Sequence, residues 1–212
     1  MKLRIVSLSL LVLCLAAVPA MAQLYTNGPI NGTTDAWTIN SGFVVSDTVV
    51  LGAQGTATGI SFGAWAFPGD VLESAQVSIT SSEFGGTSFY NAVVNFTQSG
   101  CSGNQYGFNV CTETSTSSFG SVNLAAGTYW LNLANAVVNT GDPIYWDENS
   151  GPSSASENSV GTIPSEAFTV LGGSTSSTSS TSTTGTVPEP SSIMLFGSGI
   201  LGLAGVLRRK LF

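Results

Sequence analysis

Short runs in which hydrophobic and polar residues alternate dominate residues 23–171 of this 212-residue chain. A period of two places one face of a β-strand against a core and leaves the other face polar. Clusters of Gly, Ser, Asn and Pro separate the runs, which is typical of turns. The pattern predicts no amphipathic helix and about ten strands. These are residues 37–39, 43–51, 60–67, 76–80, 92–97, 106–110, 119–124, 128–133, 144–146 and 168–171.

Many short strands at this spacing are typical of an antiparallel β-sandwich. We expect a jelly-roll-like topology, with an immunoglobulin-like sandwich as the alternative. About 150 residues are enough for a single domain with a sizeable core. The central part of the chain is therefore predicted as one all-β domain over residues 23–171.

The first 22 residues have the pattern of a signal peptide. Lys2 and Arg4 are followed by the apolar run 5–17, and residues 20–22 (Ala-Met-Ala) form a small-x-small cleavage site. This order is typical of a signal helix that is removed on export. The mature chain is expected to begin at Gln23.

The other end of the chain contains a linker and a tail. Residues 172–186 consist mainly of Gly, Ser and Thr, which predicts a disordered linker because such a segment buries little apolar area. Residues 187–212 then contain an apolar stretch at 191–207, followed by Arg208, Arg209 and Lys210. As a helix this stretch is about 25 Å long, slightly short for a bilayer core. The basic cluster should stay on the cytoplasmic side.

Charge is distributed very unevenly along the chain. All 5 basic residues lie in the predicted signal peptide or tail, the chain has no His, and the net charge is −7. Without cations the central part has no groups for nucleic-acid or phosphate binding. It also has no base for Ser-His-Asp or Cys-His catalysis and no His ligands for zinc. We therefore expect a protein that is not an enzyme and binds no nucleic acid.

Cys101 and Cys111 are the only cysteines after the predicted cleavage site. An isolated pair in an exported protein is expected to form a disulfide. The Gly- and Asn-containing residues between them predict a turn or hairpin tip.

The densest group of polar and aromatic residues is segment 142–151. One interpretation is a sugar site, in which Tyr145 or Trp146 stacks on a pyranose and Asp147 and Asn149 bond its hydroxyl groups. A second is a Ca²⁺ site that draws on the carboxylates at positions 142, 147 and 148. In a third interpretation, Trp146 is a core residue and the carboxylates are exposed to solvent. Glu157 and Glu166 follow in what is predicted to be a long loop.

The tail resembles the PEP-CTERM sorting signal. The resemblance rests on Val187, Pro188, Glu189 and Pro190, on the Gly-rich apolar stretch and on the terminal basic cluster. It implies recognition and cleavage by an exosortase, a membrane protease of bacteria that make extracellular polysaccharide. The alternative is an ordinary C-terminal anchor helix. Segments 27–32, 62–70, 127–137 and 141–151 also resemble a recurrent ectodomain of PEP-CTERM proteins. This second resemblance spans most of residues 23–171 and implies no particular activity.

Together these observations favour a structural or adhesive module associated with exopolysaccharide. A carbohydrate-binding module and a carboxylate-based glycoside hydrolase are the alternatives. The expected location is first the inner membrane, transiently, and then the cell surface or extracellular matrix. No cofactor is expected other than the Ca²⁺ considered above.

Overall fold

The computed structural model describes residues 22–174, and strands account for most of them. Alternation explains why these residues pair: along one strand Ala75, Val77 and Ile79 are buried, whereas Gln76 and Ser78 between them are half-buried. The first seven strands are β1 (Gln23–Thr26), β2 (Ala36–Thr38), β3 (Val44–Leu51), β4 (Gly55–Ala66), β5 (Leu72–Ser82), β6 (Gly85–Gly103) and β7 (Asn109–Ser115). The others are β8 (Val122–Leu124), β9 (Gly127–Val138), β10 (Tyr145–Asn149), β11 (Ala155–Glu157), β12 (Gly161–Ile163), β13 (Ser165–Glu166) and β14 (Phe168–Ser174).

Every pair of neighbouring strands in residues 22–174 is antiparallel. The main order is β1-β14-β4-β7-β6-β5-β9-β3-β11-β12. β10 joins this sheet through β4 and also pairs with β2 and β13, and β8 pairs with β4. The 14 strands thus form one continuous, strongly curled sheet.

The long strand β6 connects the two halves of the sheet. Its first part pairs with β5, from Gly85 opposite Ser82 to Asn95 opposite Ser74. Its last part pairs with β7, beginning at Phe96. One strand therefore belongs to both halves, and the sheet curls around a single core.

Aromatic side chains from several strands meet inside the curl. Phe62 of β4 contacts Phe96 of β6 and Trp146 of β10, with ring centroids 5.4 and 5.9 Å apart. Trp146 also contacts Phe168 at 5.5 Å. Burying each such side chain stabilises the fold by about 1.5–3 kcal/mol, so this contact group joins the strands that carry the candidate site.

The prediction of an all-β antiparallel fold is confirmed. The jelly-roll topology stays a prediction. What the structure shows is one curled sheet whose two halves share β6. No helix in residues 22–174 has the length and apolar character needed to cross a bilayer.

Segment 155–166 differs from the prediction of a long loop. It contains β11, β12 and β13, and both Glu157 and Glu166 are buried within strands. The buried positions here include Ser156 and Ser165, so the hydrophobic alternation that reveals other strands is missing. Residue Phe119, predicted to begin a strand, instead ends a short 3₁₀ helix, Ser117–Phe119.

The last strand extends past the domain boundary predicted at Leu171. β14 continues through Gly172 and Gly173 and pairs with β4 as far as Ser174. The predicted signal helix, nearly all of the linker, and the sorting tail with its membrane-spanning helix lie outside the described residues.

Candidate functional site

The turn between β6 and β7 forms a rigid hairpin tip. The side-chain Oδ1 of Asn104 accepts hydrogen bonds from the backbone N–H groups of Tyr106 and Phe108, each 3.0 Å long. Behind the tip, Cys101 and Cys111 form the predicted disulfide, which is confirmed. The tip therefore holds two aromatic side chains at a fixed position.

These aromatics join others from the sheet in what we call the aromatic cleft, defined by Asp35, Trp65, Tyr106, Phe108 and Tyr145. Trp65 stacks on Tyr106 with ring centroids 5.5 Å apart, and Phe108 meets Tyr145 edge to face at 5.5 Å. Tyr145 lies directly opposite Trp65 in the β10–β4 pairing, so both rings are on the same face of the sheet.

Two adjoining cavities make up the aromatic cleft. One, of about 370 Å³, is lined by Thr34, Asp35, Trp65, Tyr106 and Phe108. The other, of about 160 Å³, shares three of these residues and adds Ala36 and Tyr145. Tyr106 is 52% exposed, whereas Trp65 is only 4% exposed. The cleft thus has a buried floor and an accessible aromatic wall.

Asp147 supports the floor of the cleft from beneath. Its Oδ1 accepts hydrogen bonds from the Trp65 indole Nε1 at 2.6 Å and from the backbone N–H of Gly32 at 2.9 Å. Its Oδ2 accepts one from the N–H of Asn31 at 2.8 Å. Burial raises the pKa of Asp147, and these hydrogen bonds partly oppose the rise. One carboxylate therefore fixes both the indole and the loop beside it.

Gly63 makes this arrangement possible. A Cβ at position 63 would lie 2.8 Å from the Cβ of Asp147 and 2.9 Å from side-chain carbons of Ile30. Such approaches are closer than real side chains tolerate, so only glycine lets the loop that begins at Ile30 lie against β4. The loop is also tied to the hairpin tip, since the Tyr106 hydroxyl donates to the carbonyl of Thr33 at 3.3 Å.

The structure separates the four residues predicted to bind a sugar. Tyr145 lines the cleft. Trp146 is fully buried, donates its indole N–H to the carbonyl of Ala167 at 3.1 Å, and belongs to the core. It therefore has no exposed face on which a pyranose can stack. Asn149 is buried too, and its Nδ2 donates to the carbonyl of Asn27 at 2.9 Å, which anchors the N-terminal segment.

The carboxylates behind the cleft are buried, so the interpretation of solvated carboxylates is wrong for Asp147 and Glu148, although Asp142 is exposed. We call Asp47, Asp147, Glu148 and Glu166 the acidic cluster. Glu148 and Glu166 are cross-strand partners in β10 and β13. Oδ2 of Asp47 accepts the backbone N–H of Glu166 at 2.7 Å, and Oε2 of Glu148 accepts the indole N–H of Trp37 at 3.1 Å.

Glu166 differs from the other members of the acidic cluster. Neither of its carboxylate oxygens has a hydrogen-bond partner among residues 22–174. Burial raises the pKa of Glu166 well above its usual range, and the negative charges of Asp47, Glu148, Asp147 and Asp35 add to the rise. This carboxyl therefore holds its proton to a higher pH than an exposed glutamate does.

The structure gives no geometry for the Ca²⁺ site considered from the sequence. Within residues 22–174, no group of three or more Asp, Glu, Cys or His side chains is arranged to hold a metal ion. Asp142 is exposed, while Asp147 already accepts hydrogen bonds on both oxygens. The carboxylates at positions 142 and 147 thus have separate surroundings.

A second, more polar cleft lies between the loop at 30–33 and the β6–β7 ladder. Its volume is about 470 Å³. Gly100, Ser102, Asn104 and Thr112 are among its lining residues, and it has no aromatic wall. The aromatic cleft is therefore the stronger candidate for selective recognition of a ligand.

Residues 22–174 thus form a β-rich ectodomain with one disulfide, a class of domain typical of exported proteins. Residues 186–210 match the PEP-CTERM protein-sorting motif. The match confirms the sorting signal predicted from Val187, Pro188, Glu189 and Pro190. The motif indicates an exported protein that is processed by an exosortase at the membrane and sorted to the cell surface. No curated protein matches the chain.

Proposed function

We propose that this protein is a non-enzymatic surface module that associates with extracellular polysaccharide and contacts it through the aromatic cleft. The observation that carries the proposal is the exposed ring of Tyr106, held at a rigid hairpin tip beside the larger cavity. Ligand sites typically combine aromatic walls with a few polar groups that fix orientation. Here Asp35 and Thr34 are the polar groups.

Charge supports a neutral or cationic partner. Residues 22–174 contain no Lys, Arg or His and hold all but Glu189 of the chain's 12 acidic residues. A polymer rich in carboxylate, sulfate or phosphate would meet no counter-charge on this surface. Uncharged sugar units, in contrast, need only ring faces and hydrogen-bond partners.

The state of the carboxylates supports a binding rather than a hydrolytic role. Glycoside hydrolysis uses two carboxyl groups on either side of one bond. Asp35 is exposed at the cleft, but Asp147 lies behind Trp65 and accepts three N–H groups. It thus has little capacity to act on a sugar in front of the indole.

The sorting signal supports the proposed location. After exosortase processing the ectodomain remains at the cell surface or in the matrix, and the Ser/Thr-rich linker separates it from its point of attachment. The membrane association through residues 191–207 is transient in this proposal.

Affinity electrophoresis of the purified exported protein, through gels containing the host's extracellular polysaccharide, tests the proposal. We expect retardation of the native protein and clearly weaker retardation of Tyr106→Ala. Phe89→Ala is the matched control, because Phe89 is a similarly exposed aromatic (42%) outside the cleft. Equal retardation of all three proteins, or none of any, would rule out binding through the cleft.

A further inference from the structure

The smaller cavity of the aromatic cleft combines three aromatic rings with one carboxylate. Trp65, Phe108 and Tyr145 supply the rings, and Asp35 supplies the carboxylate. A volume of about 160 Å³ suits a single substituent of a sugar, whereas the adjoining cavity of about 370 Å³ has room for a ring. The smaller cavity is thus placed to select the substituent that a bound sugar carries.

Asp35 is fixed at the edge of this cavity by its backbone. Its carbonyl accepts the N–H of Glu148 at 3.0 Å, and its Oδ1 accepts the N–H of Ala36 at 2.8 Å. The side chain is exposed. The carboxylate is therefore available to a ligand at a defined position.

The aromatic rings add to the attraction for a positive charge. A cation within about 6 Å of a ring centroid is attracted by the negative face of the ring. Because Trp65 donates its indole N–H to a carboxylate oxygen of Asp147, the hydrogen bond shifts electron density toward the ring face. The cavity thus offers both a carboxylate and electron-rich rings.

No basic side chain of residues 22–174 can occupy the cavity beside Asp35, because the segment contains no Lys, Arg or His. The acidic cluster lies close to the smaller cavity. The backbone N–H of Glu148 donates to the carbonyl of Asp35, and Asp147 accepts the indole N–H of Trp65. An anionic substituent is disfavoured at such a place and a cationic one is favoured.

From this combination the geometry points to a pocket for the protonated amine of an amino-sugar unit. The ammonium group donates to Asp35 and lies over the rings, while the sugar itself occupies the larger cavity beside Tyr106. This inference rests on the proposed function and names its ligand class. The extracellular polysaccharide of the host would accordingly contain hexosamine units with free amino groups.

Calorimetric titration of the purified exported protein with three oligomers of equal length tests the inference. The probes are a β-1,4-linked glucosamine oligomer, its fully N-acetylated form, and oligolysine. We expect the glucosamine oligomer to bind about tenfold more tightly than the acetylated form, a size of effect typical of one cation–π and carboxylate contact. Oligolysine should bind weakly, because it has no ring for the larger cavity.

Asp35→Asn should remove the preference for the free amine. Glu73→Gln is the matched control, since Glu73 is an exposed carboxylate of β5 and its loss changes the net charge equally. With the native protein, raising the salt from about 0.05 to about 0.5 M should weaken binding of the glucosamine oligomer more than that of the acetylated one.

The possible failures are distinguishable. Equal binding of both sugar oligomers, or an unchanged preference in Asp35→Asn, would overturn the amine pocket while the proposed function stood. Tight binding of oligolysine would overturn the assignment to an amino sugar. If no sugar oligomer and no host polysaccharide bound, both proposals would fall.

Discussion

The indole Nε1 of Trp65 and Oδ1 of Asp147 are joined by a 2.6 Å hydrogen bond behind the aromatic cleft. One interpretation of the sequence makes Asp147 a ligand contact, and in the structure its carboxylate supports the indole of Trp65. The same carboxylate holds the N–H groups of Asn31 and Gly32. Because one residue fixes both the floor of the cleft and a loop, its loss should affect both stability and binding.

Asp147→Asn tests this dual role. An asparagine has one acceptor oxygen, so at least one of the three N–H groups, two of them buried and that of Asn31 part-buried, loses its partner. An unsatisfied buried group costs about 1–3 kcal/mol, and we expect a decrease of that size in the free energy of unfolding. Urea denaturation measures it. Asp142→Asn, at an exposed position, should change stability little, and equal stability of both variants would contradict the supporting role.

Trp146→Ala should destabilise the protein strongly. Its side chain is fully buried against Phe62 and Phe168, and truncation of a buried tryptophan costs about 3–5 kcal/mol. Thermal unfolding followed by circular dichroism should therefore show a large drop in melting temperature. A surface sugar platform at Trp146 would instead lose ligand binding while the melting temperature stayed the same.

Trp146 also shows how much of the site could be predicted from sequence. Alternation correctly places Tyr145 and Trp146 in a strand, although β10 does not include Ile144, and neighbouring strand residues point to opposite faces. Which of Tyr145 and Trp146 faces the core depends on pairing with β4, a non-local contact that the local pattern does not contain. For Tyr106 and Phe108 the sequence predicts a turn and also a strand over 106–110, but β7 begins only at Asn109. Their place in the cleft could not be predicted for the same reason, because their partners Trp65 and Tyr145 are distant in sequence.

The short strands around Glu157 and Glu166 illustrate a different limit. Local patterns predict strands through hydrophobic alternation. Here Ser156, Glu157, Ser165 and Glu166 are buried along with Ala155 and Ile163, and backbone pairing with β3 and β10 forms the strands. The disulfide, in contrast, was predictable because the chain offers only one pair of cysteines after the cleavage site.

Replacing Cys101 and Cys111 together by Ser should loosen the hairpin tip. The bridge closes a loop of 10 residues, and the chain-entropy model gives at most about 3 kcal/mol for it. We expect a loss of stability up to that value and faster hydrogen exchange at the N–H groups of Tyr106 and Phe108. If exchange at these two amides matched the native rate, the disulfide would not be what keeps the tip rigid.

Glu113 should make the protein less stable as the pH rises. Burial raises its pKa from 4.5 to about 7, partly offset by the hydrogen bond from Gln98. Between these two values the folded state keeps a proton that the unfolded state has released, so stability is full below the lower value and falls toward the upper one. The shift corresponds to about 3 kcal/mol.

Glu113→Gln isolates this contribution, because the amide keeps an acceptor for Gln98 but does not ionise. Urea denaturation at about pH 4 and about pH 8 should show a gain in stability over the native protein only at the higher pH. Glu73→Gln, at an exposed position, should follow the native pH dependence. A gain of equal size at both pH values would mean that packing, not ionisation, separates the variants.

Glu166 should stay protonated at a pH where Glu113 has largely ionised. It is buried, its oxygens lack partners among the described residues, and its cross-strand neighbour Glu148 is acidic. In a Glu113→Gln background, the infrared C=O stretch of a protonated carboxyl should persist at about pH 8. Adding Glu166→Gln should remove this band. Adding Glu148→Gln should weaken it, because that substitution removes a charge that raises the pKa of Glu166. Absence of the band would mean that Glu166 is ionised, which requires a cation within the acidic cluster to offset its burial.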